Sequence, residues 1–67
     1  MNVNIRTDIF NMLKANGKMK TRSVITILAK KYSTPKQRIS GNISYMVSKL
    51  GNIEVERKYQ NSEIFIP

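Results

Sequence analysis

Between Pro35 and Leu50, the residues Gln37, Arg38, Gly41, Ser44, Tyr45 and Ser48 recur at steps of three and four, the spacing that gathers side chains on one side of an α-helix. Their chemistry is hydrogen bonding at short reach. An arginine offers a planar fork of donors that matches two neighbouring acceptors, such as the edge of guanine. A glutamine offers the donor and acceptor pair that matches adenine. Serine and glycine between them let a helix backbone approach closely whatever surface it faces.

Other chemistry is thinly provided for. The chain has no Cys and no His, which removes disulfides, thiolate and imidazole metal ligands, and Cys or His nucleophiles and bases. Its acids, Asp8, Glu54, Glu56 and Glu63, are scattered in sequence. A non-enzyme is therefore expected, with no catalytic residue, metal, cofactor or small-molecule substrate. Twelve Lys and Arg stand against four Asp and Glu, a formal net charge of +8, so the expected partner is polyanionic.

The 67 residues allow a single domain, 1–67. No apolar run approaches the roughly eighteen residues of a membrane span, and the start lacks the pattern of a signal peptide. A cytoplasmic, nucleoid-associated location away from membranes is expected. From Ile5 to Leu13, the residues Ile5, Ile9, Met12 and Leu13 form one helical stripe with Phe10 at its margin. Asn2 or Asn4 can cap its start, and Asn16-Gly17 can stop it. Lys18-Met19-Lys20 alternates like a short strand. Thr21 or Ser23 can then cap a second helix reaching about Tyr32, with Val24, Ile25, Leu28 and Tyr32 as its stripe.

The next boundary, Ser33-Thr34-Pro35-Lys36-Gln37, combines an N-cap threonine, a proline at the first helical position and a glutamine able to complete a capping box. From there Ile39, Ile43, Met46, Val47 and Leu50 keep helix-face spacing until Gly51. Opposite that stripe lie Gln37, Gly41, Ser44 and Ser48, flanked by Arg38, Tyr45 and Ser40. After Gly51 the period drops to two. Ile53, Val55, Arg57 and Tyr59 alternate with Glu54, Glu56 and Lys58, Gln60-Asn61-Ser62 reads as a turn, and Ile64-Phe65-Ile66 as a returning strand.

This order of elements, with the stretch from Thr34 through Gly51 and on to Ile53-Glu54-Val55, resembles the winged helix-turn-helix. That is an α+β fold of three helices with a small antiparallel sheet ending in a β-hairpin wing. In that family the third helix enters the DNA major groove, the second braces it, and the wing touches the phosphate backbone or minor groove. The resemblance implies double-stranded DNA as partner, helix 35–50 as the recognition helix and Lys58 to Glu63 as the wing tip. It also implies a small stand-alone regulator of transcription or replication in a bacterium, phage or plasmid.

Base contacts are expected from Gln37, Arg38, Gly41, Ser44, Tyr45 and Ser48. Phosphate contacts are expected from Lys18, Lys20, Arg22, Lys36, Ser40, Lys49, Lys58 and Asn61. Lys18, Lys20 and Arg22 sit where a helix N-terminus disfavours cations, which a bound phosphate would offset, whereas Lys30 and Lys31 sit where the dipole favours them. Three of the four acids fall in the hairpin. Glu54 and Glu56 are expected to face away from DNA and Glu63 to repel it, leaving the wing a secondary contact. One such domain reads too few base pairs for high specificity, so a homodimer or cooperative binding is expected, through helix one or the hairpin edge. The alternative is a protein-binding module that docks an acidic host protein, since a positive face steers any polyanion.

Overall fold

The computed structural model describes residues 2–59 and 61–67. Helix α1 (Asn2–Asn16) leads through strand β1 (Met19–Lys20) into helices α2 (Thr21–Lys31) and α3 (Lys36–Tyr45). One π-helical turn (Met46–Leu50) extends α3, and strands β2 (Glu54–Lys58) and β3 (Asn61–Phe65) close the chain. The fold is α+β, three helices beside an antiparallel sheet of order β1-β3-β2, an arrangement compatible with a winged helix and its hairpin.

The apolar stripes meet in one core. Ile5, Ile9 and Leu13 of α1, Val24, Leu28 and Ala29 of α2, Ile39 and Ile43 of α3, and Met46, Ile53 and Ile64 are all buried. Phe10, Met12, Ile25, Tyr32 and Val47 pack against it partly exposed. Each helix therefore turns one face inward and leaves the other to solvent, which is what places the polar side of α3 on the surface.

The helix stops follow the expected residues, while the starts do not. Gly17, at φ 73°, ends α1 with its N–H on the Leu13 carbonyl at 2.8 Å. α1 already includes Asn2 and Asn4, so neither precedes it as a cap. Lys20 occupies the N-cap of α2 and Pro35 that of α3, both in extended conformation and neither with a side-chain capping bond. Thr21 is instead engaged through its Oγ1, which accepts the Ser62 hydroxyl at 2.8 Å.

Thr34 does not cap α3, which begins at Lys36 with Pro35 in the N-cap position, one residue beyond Thr34. Ser33 adopts φ 49° and donates to the Lys30 carbonyl at 3.3 Å, while the Thr34 N–H donates to the Ala29 carbonyl at 3.0 Å. These two bonds are a Schellman motif closing α2. They turn the chain sharply, so Pro35 lies just before α3 rather than inside it.

At Met46 the helical ladder widens. The Gly51 N–H reaches the Met46 carbonyl, five residues back, with Gly51 in the left-handed conformation. A stripe counted at about 3.6 residues per turn loses phase through a π turn. Leu50, expected on the core side, is accordingly 49% exposed.

In the hairpin, Lys58 pairs with Asn61. Asn61 and Ser62 thus belong to β3 and not to the turn, and the chain reverses between Lys58 and Asn61, where Tyr59 has φ 56°. Of the expected turn, Gln60 lies outside the described residues. Among the described residues, no helix is long and apolar enough to cross a membrane.

Candidate nucleic-acid interface

The residues along α3 that sequence places opposite the core are all on the surface: Gln37, Arg38, Ser40, Gly41, Ser44, Tyr45 and Ser48. Two depressions run along them. The larger, about 980 Å³, lies between the start of α2, the exposed side of α3 and the tip of β3. Lys20, Arg22, Lys36, Gln37, Ser40, Gly41 and Asn61 line it. Seven residues expected to touch nucleic acid, from four separate elements, therefore share one groove. Its other walls are hydroxyls and one apolar side chain, Thr21, Ser23, Thr26, Ser62 and Ile25. Towards the end of α3, Ser40, Ser44 and Ser48 face Arg57 and Ser62 of the hairpin across a further recess.

Gly41 borders the large groove and the cleft on the other flank of α3. Nothing of the protein lies within 4 Å of where its Cβ would be, so glycine is not required there by internal packing. The absence of a side chain leaves the crest of the helix low between Gln37 and Ser44, as a close-approach surface needs.

The second cleft, about 560 Å³, separates α3 from the start of α1 and is lined by Arg6, Gln37, Arg38, Asn42 and Tyr45 together with Asn2 and Pro35. Asn42 is a buried polar residue, 6% exposed. Its Oδ1 accepts from Arg6 Nε at 3.0 Å, and its Nδ2 donates to the Arg38 carbonyl at 2.8 Å. The Arg6 guanidinium stacks over the Tyr45 ring, 4.4 Å from its centre. Sequence reasoning missed Arg6, since a single arginine at the margin of an amphipathic helix has no distinguishing pattern. Asn42 carried a weak signal, an amide at the edge of an apolar stripe.

The acids lie elsewhere. In the sheet register Glu56 stands opposite Glu63, and Glu63 opposite Lys20, while Glu54 stands opposite Phe65. Cross-strand partners share a face, so all three hairpin acids lie on the outer face, with Ile64, Val55, Arg57 and Ser62 on the other, and Lys20 and Asn61 border the large groove from positions that share the acids' face. Glu63, expected to repel DNA, faces away from α3. Asp8 of α1 accepts from the Tyr32 hydroxyl and from Lys31 Nζ at 2.9 Å. Those two hydrogen bonds hold its carboxyl below the usual range and raise the Tyr32 hydroxyl and the Lys31 ammonium above theirs.

Three expected phosphate contacts are not brought to the grooves. Lys18 lies on the outer sheet face, bonded to Glu56 at 2.8 Å with its ammonium 5.2 Å from the Phe65 ring centre. Lys58 joins the same carboxylate at 3.3 Å. The two lysines draw the Glu56 carboxyl down and Glu56 draws Lys18 up, each chiefly through the Lys18–Glu56 hydrogen bond. Strand alternation accounts for this, as the residues that precede Met19 and follow Arg57 fall on the face opposite the core. Lys49 is exposed in the π turn but borders neither groove.

Residues 2–65 match the family model described as "Protein of unknown function (DUF2551)". The chain belongs to this DUF2551 family. No curated protein and no solved structure matches it. The DUF2551 match spans every element from α1 to β3 and so includes both flanks of α3, the groove bordered by α2 and the hairpin as well as the cleft bordered by α1.

Proposed function

We propose that the protein is a non-enzymatic DNA-binding protein of winged-helix type that seats α3 in the major groove of a duplex. In this role it acts in the cytoplasm, on the nucleoid, as a regulator of transcription or replication in a bacterium, phage or plasmid. The observation that carries the proposal is the segregation of charge around α3. Arg22, Lys36, Arg38 and Arg57 rim a face made of amide, hydroxyl and glycine, while Glu54, Glu56 and Glu63 are turned to the far side of the sheet.

A major groove is wide enough to admit one α-helix, and α3 presents its small residues where the groove floor would lie. Gln37 and Arg38, in its first turn, supply amide and guanidinium forks for base edges. The start of α2 brings Arg22 to the strand on one flank. Arg57 and Asn61 of the hairpin reach the same flank further along α3. One domain covers a short site, so two copies acting as a homodimer or cooperatively give the specificity that one lacks.

If about six phosphates are neutralised, the logarithm of the affinity for duplex falls against the logarithm of salt concentration with a slope near −5. A fluorescence anisotropy titration of labelled duplex across a salt series measures it. A flat salt response, or no binding at low salt, overturns the proposal.

A further inference from the structure

We infer that Arg6 of α1, stacked on Tyr45 and bonded to the buried amide of Asn42, forms a preassembled clasp for a DNA phosphate on the flank of α3 opposite α2. The inference rests on the duplex-binding proposal and assigns that proposal a contact from α1.

Four side chains are tied together here. Asn42 receives Arg6 Nε at 3.0 Å and donates to the Arg38 carbonyl at 2.8 Å. A guanidinium only donates and a carbonyl only accepts, so both partners demand the same orientation of the amide. Asn42 also donates to Asn2 Oδ1 at 3.4 Å, and Arg38 Nη1 reaches that same oxygen at 3.5 Å. Two guanidinium groups therefore flank one pair of amides at the mouth of the cleft.

What is missing is an anion. No carboxylate lines this cleft, and among the described residues no acid pairs with Arg6 or Arg38. The acid of α1, Asp8, is committed to Tyr32 and Lys31 on the side facing α2. Arg6 is half-buried, and its ordering on Tyr45 and Asn42 uses one of five N–H donors. The Nη donors that remain form a planar fork of the geometry that phosphate accepts in pairs. Stacking has already fixed the plane of that fork, which lowers the entropy lost when a ligand arrives.

Position selects phosphate over base. Arg6 comes from α1 and stands beside α3, not on its crest, where the sugar-phosphate strand bordering a major groove would pass. Arg22 stands on the other flank. The helix is thus provided with cations for both walls of the groove it enters.

The test is the salt series repeated with Arg6→Ala, Arg6→Gln and Arg6→Lys, each checked for folding by circular dichroism. Loss of one charged phosphate contact is expected to weaken binding roughly tenfold and to flatten the salt slope by about 1. Arg6→Gln, which keeps most of the stem, is expected to do the same even where Arg6→Ala folds poorly. Arg6→Lys keeps the slope but loses several-fold in affinity, because a lysine can neither stack nor hold Asn42 in that way. Unchanged affinity and slope in a folded Arg6→Gln protein overturn the clasp, and leave duplex binding standing if Arg38→Ala still weakens it. Absence of salt-dependent binding by the unaltered protein overturns both.

Discussion

Replacing Gln37 and Arg38 together with alanine is expected to weaken binding to a preferred duplex by about a hundredfold or more, while the protein stays folded. The size follows from what each side chain can do in a major groove, since a bidentate contact to a base edge discriminates by about 1–3 kcal/mol. Both residues are exposed in the first turn of α3. Neither belongs to the core, and among the described residues the one hydrogen bond of the Arg38 side chain is the long one to Asn2 at 3.5 Å. Exposed positions of this kind alter stability by about half a kcal/mol at most. Parallel measurements of duplex affinity and thermal unfolding therefore separate contact from folding. The double substitution also separates duplex binding from docking to an acidic protein, which is steered by summed charge and hardly depends on one amide and one guanidinium. Loss of discrimination between preferred and unrelated duplexes marks the first role. A uniform, small decrease for every polyanion marks the second.

Ile39→Ala is expected to unfold most of the protein at room temperature. Ile39 is fully buried, in the same cluster as Ile5, Ile9, Val24, Leu28 and Met46, where α3 packs against both other helices. Truncating such a residue costs about 2–5 kcal/mol, and a domain of this size rarely holds more than about 3–5 kcal/mol in its core. Leu50→Ala serves as the matched comparison. It lies on the same nominal stripe, eleven residues on, but it is 49% exposed and its truncation is expected to cost a small fraction as much. Denaturant unfolding followed by circular dichroism distinguishes them, and similar losses at the two sites would contradict the π turn's displacement of Leu50.

Much of the fold is legible in the sequence because it rests on period. The stripes of α1, α2 and α3, the stops at Gly17 and Gly51 and the change to alternation after Gly51 all appear in the structure. What escapes is set by long-range or competing local bonds. Thr34 is of a capping residue type, yet its N–H closes α2 and the N-cap of α3 falls one residue later, on Pro35. Leu50 follows the helical period, but a widened turn depends on how the chain must leave α3 for the sheet, and no residue type announces it. The expected hairpin turn takes in two residues of β3, Asn61 and Ser62, because Asn and Ser also fit a strand end, where Asn61 pairs with Lys58.

The candidate site divides in the same way. The face of α3 is a local property of one helix, and every residue expected on it is exposed. The phosphate contacts depend on which side of a sheet a lysine falls, and Lys18 and Lys58 turn out to be held by Glu56. Arg6 depends on α1 crossing α3 near Asn42, a contact between residues thirty-six positions apart. Pattern within one segment cannot contain that information.

The central claim, that the exposed side of α3 meets the duplex, is tested most directly by titrating isotope-labelled protein with a short duplex and following backbone amide and Arg, Asn and Gln side-chain signals. The largest changes are expected along residues 36–48 and at Arg22, Asn61 and the Arg6 side chain, with the amides of Glu54 and Glu56 little affected. Changes concentrated on the outer sheet face around Glu56, with α3 silent, would contradict the claim.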